Sequence, residues 1–244
     1  MAFDPRRLSE ALEKCVAGLA LAPAGYCVAL SGGLDSTVLL AALVRLRDEG
    51  HAPSIRAIHV NHGLPTEADA WAHACARLTE RLGISCTQLT VDARHRPGES
   101  PEAAARAARY LALATALGER EVLLTAHHAD DQLEGILLQW LRGGGLRAVA
   151  GMARVVPFAA GWHARPLLEF TRAELHAWGR QVGLEWLEDP SNRDTRFDRN
   201  FLRQAVLPVV RQRWPAAART VGRVARQAAE ALEIEASLAA RDLA

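Results

Sequence analysis

YCVALSGGLDS, residues 26–36, is the stretch that decides how the rest of the chain is read. Its first five residues are apolar and bounded by Gly25 and Ser31, so they read as a short buried strand. Two glycines follow, which let the main chain approach an anion closely. Residues 34–50 then read as an amphipathic helix, whose N-terminus favours negative charge. Ser31, Gly32, Gly33, Leu34, Asp35 and Ser36 are therefore candidate phosphate ligands, with two hydroxyls as further donors. Asp35 would repel phosphate unless a cation lay between them, so it points to Mg2+. The bland reading of the same residues is a glycine turn with Ser or Asp capping a helix. GxGxxG is absent, and the only lysine is Lys14, so no Walker-type loop can form.

Outward from this turn, strands at 55–60, 85–91 and 121–126 alternate with helical stretches at 67–83, 101–118 and 127–143. The pattern predicts an α/β fold with a doubly wound, mostly parallel sheet and helices on both faces. Such sheets bind ligands beyond the carboxyl ends of their strands. Each polar cluster follows a predicted strand end or opens the next helix, which points to one shared site. Residues 143–152 read as a flexible turn. Beyond them come a strand near 162–165, a helix from Thr171 to about Val182, the loop LEDPSNRD, and a helix through Asn200 to Val206. Residues 1–215 are expected to form the catalytic domain, and 216–244 a small helical extension.

Half of the 244 residues are hydrophobic, enough for a packed core. No apolar run approaches the roughly 20 residues that cross a membrane, and the opening residues resemble no secretory signal. The expectation is a soluble cytoplasmic protein with no membrane partner; a homodimer is compatible with it. The four cysteines form no CxxC pair, which argues against a zinc ribbon or an iron–sulfur site. The net charge of +1 is unevenly spread, because residues 193–223 hold eight arginines against two aspartates. That cluster suggests a polyanionic partner, or else a solvated helix face.

His127, Asp131 and Glu134 fall at i, i+4 and i+7 and share one face of the expected helix. The carboxylates can hold a substrate ammonium or Mg2+, and His127 can donate to a phosphate or move a proton. The alternative is a helix start favouring acids through its dipole. Glu102, Arg106 and Arg109 also share a face. Arg106 can neutralise an α-phosphate or a leaving pyrophosphate, or be half of a surface pair. Arg196, Arg199 and Arg203 form a comparable stripe. His59, Asn61 and His62 close the second strand, to contact nucleotide or to shape the loop. Trp71, Trp140, Trp178, Trp186 and Trp214 read as core before stacking platforms.

SGGLDS resembles the SGGxDS signature of the PP-loop ATP pyrophosphatases, of the adenine nucleotide alpha hydrolase-like fold. That resemblance implies a loop holding the β,γ-phosphates of ATP. The stretches HVNHGLPTEADAW (59–71), ESPEAAARAARY (99–110), TAHHADDQLEGILLQWLRGGGL (125–146), RPLLEFTRAEL (165–175) and LEDPSNRDTRFDRNFLR (187–203) resemble blocks of tRNA(Ile)-lysidine synthetases. The resemblance implies ATP and Mg2+, L-lysine, and tRNA(Ile) with a CAU anticodon. The wobble cytidine would be adenylated at its C2 oxygen and AMP then displaced by lysine. It further implies catalytic roles for Asp35, Arg106, His127 and Arg203, lysine binding by Asp131 and Glu134, and tRNA contacts by Arg196 and Arg199. Two features depart from the family: Gly135 stands where Thr is usual, and the chain stops soon after the arginine-rich region, whereas most members continue into further domains. The alternatives are another PP-loop enzyme, either a tRNA thiolase or a small-molecule amidating synthetase, and a non-catalytic RNA-binding relative.

Overall fold

The computed structural model describes residues 2–19, 21–61, 67–92, 101–190 and 194–242, with the side chains of 67–68 and 101–102 excepted. His62 and Arg193, and the side chain of Glu102, lie outside the described residues. The chain divides into two compact units. Unit one comprises residues 1–126, 155–166 and 173–188; unit two comprises 127–154, 167–172 and 189–244.

Unit one is built on a six-stranded sheet in the order β3-β2-β1-β4-β6-β5. The strands are β1 (Gly25–Ala29), β2 (Ile55–Asn61), β3 (Cys86–Thr90), β4 (Glu121–Leu124), β5 (Val155–Phe158) and β6 (Gly161–Ala164). All neighbours pair in parallel except β5 with β6. The first three strands step outward from β1, and β4 returns to its other side. The carboxyl ends of β1 and β4 therefore flank a topological switch point, where sheets of this kind bind ligands. The connections are α2 (Leu34–Asp48), α3 (Glu67–Arg81) and α4 (Pro101–Ala116). Right-handed crossovers put α2 and α3 on one face and α4 on the other. Consistent with this, Leu113 of α4 and Leu117 close a buried cluster with Cys27, Ile58 and Leu123 from three adjacent strands. The expected sheet, with its parallel core, is present.

Two elements of this unit and a short helix of the next are absent from the sequence reading. Helix α1 (Pro5–Val16) opens on an N-cap, Asp4, whose side chain accepts from the Arg6 N–H, with Pro at the first turn. Strand β5 carries Pro157, tolerable only because β5 is an edge strand. Its hairpin turn is Ala159–Ala160, with Ala159 at φ 49°, and lacks the Asn or Gly that normally signals such a turn. Gly161 is needed there, since a Cβ would lie 2.1 Å from the Glu121 carbonyl oxygen. In unit two, α6 (Leu146–Ala150) is a five-residue helix directly after Gly143–Gly145, a stretch that reads as flexible in sequence. Helix α7 (Arg172–Gln181) follows β6, with Trp178 edge-on to Phe3 at 5.2 Å.

Unit two is helical: α5 (Ala129–Leu141), α6, α8 (Asp198–Phe201), a π-helical turn (Leu202–Val206), α9 (Leu207–Arg213) and α10 (Ala217–Asp242). Ala129 and Leu133 of α5 pack on Leu207 and Ala218.

Truncating Leu123→Ala, fully buried at the centre of the sheet, is expected to lower the unfolding free energy by about 2–5 kcal/mol. Denaturant unfolding checks this; a change below about 0.5 kcal/mol would contradict the packing described.

Candidate functional site

The turn that ends β1 is held by its own side chains and by a distant segment. Gly32 adopts φ +81°, a conformation that favours glycine, and a Cβ there would also crowd Cys75 Sγ at 3.0 Å. Its carbonyl accepts from the Leu187 N–H at 2.9 Å, and Gly33 and Leu187 form a parallel bridge. The Ser36 hydroxyl donates to the Gly33 carbonyl (3.2 Å) and accepts from the Ser31 N–H (3.1 Å). Since its single proton is thus used, the Ser31 hydroxyl donates to it at 2.9 Å and itself accepts from the Gly33 N–H at 3.3 Å. Both serines, expected as phosphate donors, spend their protons fastening the turn. Gly33 is the N-cap of α2 and supplies no side-chain acceptor, while Leu34, Asp35 and Ser36 form the first turn. The amides at the start of this 15-residue helix and its dipole are what the turn presents to an anion.

His59, left open between nucleotide contact and loop shaping, is buried, and its Nδ1 donates to the Leu30 carbonyl at 2.9 Å. It ties the end of β2 to the end of β1. Asn61 ends β2, and its carbonyl accepts from the Val91 N–H. Arg106 lies in α4 with its guanidinium carbon 4.8 Å from the Tyr110 ring centroid.

The remaining candidates belong to unit two. Helix α5 starts at Ala129, not at His127, because His128 is its N-cap. His128 Nδ1 accepts from the Asp131 N–H at 3.3 Å, and Asp131 Oδ2 accepts from the His128 N–H at 3.0 Å. His127 therefore precedes the helix, and the i, i+4 relation expected for it does not apply. It still acts on Asp131 through charge. Burial pushes the Asp131 carboxyl up, but His128, Arg199 and His127, with the His128 N–H, outweigh burial and hold it below the usual carboxylate range.

Asp131 and Glu134 do share one face, and that face is met by two arginines. Arg199 donates from Nε to Glu134 (2.9 Å) and from Nη2 to Asp131 (3.0 Å). Arg203 donates from Nε and Nη2 to both oxygens of Glu134, each at 2.8 Å. The Glu134 side chain is only 1% exposed. Arg199 is thus bound into a carboxylate cluster where the sequence suggested a cation for RNA phosphates. Arg196 stands apart, exposed and forked onto Asp194. Asp130, not singled out in the sequence, is buried and accepts from Arg211 (2.6 Å) and from the Arg172 N–H (2.7 Å). Three carboxylates of α5 therefore offset half of the excess positive charge counted along residues 193–223. Only the fold reveals this, since the partners are more than 60 residues apart.

The π-helical turn has a local cause. Pro208 lacks an N–H and its ring clashes with the carbonyl four residues back, so the Leu207 N–H bonds instead to Leu202, five residues earlier. Arg203 sits in this widened turn. Gly135, on α5, has nothing within 4 Å of where a Cβ would be.

Two outcomes are expected. Gly135→Ala should stabilise the protein by up to about 1 kcal/mol, measured by denaturant midpoint, because helix propensity rises with no clash; destabilisation would contradict the open site. Asp131 is held below its unfolded value of about 3.9, so its stabilising contribution is complete above that pH and lost as pH falls through and below it. The stability gap between wild type and Asp131→Asn should therefore narrow from pH 6 to pH 3; a constant gap would contradict the pairing.

Residues 5–210 match the PP-loop domain family. The chain is similar to the tRNA(Ile)-lysidine synthase of Methylococcus capsulatus, 51% identical over 206 residues, which is 84% of this chain and 47% of the relative. It is 50% identical over 244 residues to that of Alkalilimnicola ehrlichii, covering 100% of this chain and 54% of the relative. The chain thus spans about half the length of the curated relatives it matches. Among solved structures it is similar to the U34-tRNA thiolase NcsA from Methanococcus maripaludis, with TM-score 0.72 and 16% identity over 91% of this chain and 78% of that one. At that identity the likeness is one of fold. A strand closing on a glycine turn at the switch point of a parallel sheet, with a family match over most of its length, makes this chain a member of the PP-loop family.

Proposed function

We propose that this chain uses ATP to activate the wobble cytidine of a CAU-anticodon tRNA(Ile) and joins L-lysine to C2 of that base. The observation that carries the reading is the turn at residues 31–36, fastened by its own serine hydrogen bonds and capped by a glycine, in a chain 51% identical over 206 residues to a tRNA(Ile)-lysidine synthase. In the first step the cytidine C2 oxygen attacks the α-phosphorus, and the bond to the α,β-bridging oxygen breaks with release of pyrophosphate. In the second, the lysine ε-nitrogen attacks C2, the C2–oxygen bond breaks, AMP leaves, and the amine gives up a proton.

The amides of Gly32–Ser36 would take the β,γ-phosphates. Mg2+ characteristically uses one or two protein carboxylates and completes its shell with phosphate and water. Asp35, a single carboxylate in the first turn of α2, fits an ion that arrives with the nucleotide, and no group of three metal-ligating side chains occurs among the described residues. Bound there, the ion would neutralise phosphate charge beside Asp35. Arg106 would face the α-phosphate or the leaving pyrophosphate, and His127 would donate to phosphate or carry a proton. Asp131 and Glu134 would receive a lysine ammonium in exchange for one of their guanidinium partners, freeing Arg203 for the reacting groups. Arg196 would pass from its exposed pair with Asp194 to an RNA phosphate, since such pairs contribute little. The same contact by Arg199 would have to compete with Asp131 and Glu134.

A thiolase reading is disfavoured by the thiols. Cys27 and Cys75 are buried, and burial pushes both up to about 12, the opposite of an activated cysteine. No helix among the described residues is long and apolar enough to cross a membrane; a cytoplasmic location belongs to the proposal.

Pyrophosphate release should require both ATP and a CAU-anticodon tRNA, and Asp35→Asn should abolish it while RNA binding persists. Release with ATP alone, or equal loss of RNA binding, would count against the assignment.

A further inference from the structure

We propose that Arg165, oriented by His163, forms with Arg106 a second phosphoryl-binding subsite, one that takes the α-phosphate of the nucleotide. This rests on the reading that residues 31–36 grip the β,γ-phosphates. All the groups involved belong to unit one.

Arg165 directly follows Ala164, the last residue of β6, and Thr125 directly follows Leu124, the last of β4. Both strands run parallel to β1, so these residues emerge at the same edge as the glycine turn. From β1 to β6 is two strand spacings, about 10 Å, within the combined reach of a triphosphate and a long side chain.

The hydrogen bonds fix the tautomer of His163. Arginine can only donate, so Arg165 Nη2 donates to His163 Nδ1 at 3.2 Å. The ring proton of the neutral imidazole then lies on Nε2, which donates to the Thr125 hydroxyl oxygen at 2.8 Å. His163 is 2% exposed and its ring lies 5.7 Å from Tyr110 and 5.8 Å from Phe158. A buried, wedged imidazole held at both nitrogens orients the guanidinium rather than reacting itself.

Arg106 brings a second guanidinium to the same aromatic cluster, through its contact with Tyr110. Burial holds the Arg165 guanidinium below its ordinary value; Tyr110 opposes this and Arg106 adds to it. Arg109 stands over the same ring at 5.7 Å, so positive charge is gathered there, and a preorganised guanidinium pair is what a phosphoryl group gaining charge needs. The half-buried setting of Arg165 favours the small nucleotide phosphate over an RNA backbone.

The test uses two probes on the whole chain, AMP for the α-phosphate subsite and inorganic pyrophosphate with Mg2+ for the turn. Arg165→Gln should weaken AMP at least about tenfold while pyrophosphate changes less than about threefold. Arg165→Lys, which keeps the charge but not the fork, should fall between. Thr125→Val should weaken AMP and Thr125→Ser should restore it, a rescue that general loss of folding would not give. Unchanged AMP affinity in Arg165→Gln, or no AMP binding by wild type at millimolar concentration, overturns the subsite. So does a loss confined to the salt dependence of RNA binding, which would assign Arg165 to RNA. Failure of wild type to bind pyrophosphate overturns the underlying reading of the turn instead.

Discussion

The conformation of Gly32 is the constraint on which the functional part of unit one depends. At φ +81° the chain leaves β1, turns, and enters α2 with its first amides free of any side-chain cap from Gly33. That geometry is not maintained locally alone. Leu187, more than 150 residues on, donates to the Gly32 carbonyl and bridges Gly33, and the paired hydroxyls of Ser31 and Ser36 close the turn from within. Because the strand order reverses between β1 and β4, this turn falls where the sheet leaves its edge open. A side chain at Gly32 would be strained in its backbone and would crowd the Cys75 sulfur, so the position favours glycine.

Unit two depends on a different device, the matching of arginines to carboxylates. Glu134 is almost fully buried, where a charge left without a partner is destabilising. Arg203 forks onto it and Arg199 bridges it to Asp131, so two charges of each sign meet in one cluster. The π-helical turn before Pro208 is part of this, because it sets where Arg203 leaves the backbone. Such a cluster is a structural pin, and on the proposed function an incoming ammonium takes over one side of it.

Much of this was legible in sequence, for identifiable reasons. Apolar runs such as YCVAL alternating with helical periods report a parallel sheet directly, and glycines before a helix report a phosphate-type turn. Where the chain contradicts local habit, the signal fails. Strand β5 carries a proline and turns on two alanines, so neither strand nor hairpin shows. His128 is an unusual cap, and reading the helix from His127 places that residue on a face it does not share. The arginine cluster is visible as linear charge, but its neutralisation by Asp130, Asp131 and Glu134 depends on contacts across more than 60 residues. The pin from Leu187 has the same character: nothing near it in sequence announces Gly32 as its partner.

The central claim is that the amides of residues 32–36 hold the tail of ATP. The most direct measurement is a crystal structure of the protein with Mg2+ and a non-hydrolysable ATP analogue. The β- and γ-phosphate oxygens should lie within hydrogen-bond distance of the main-chain N–H groups at the start of α2, with Asp35 on the metal side. A bound analogue whose phosphates lie elsewhere, with the turn at Gly32 untouched, would contradict it.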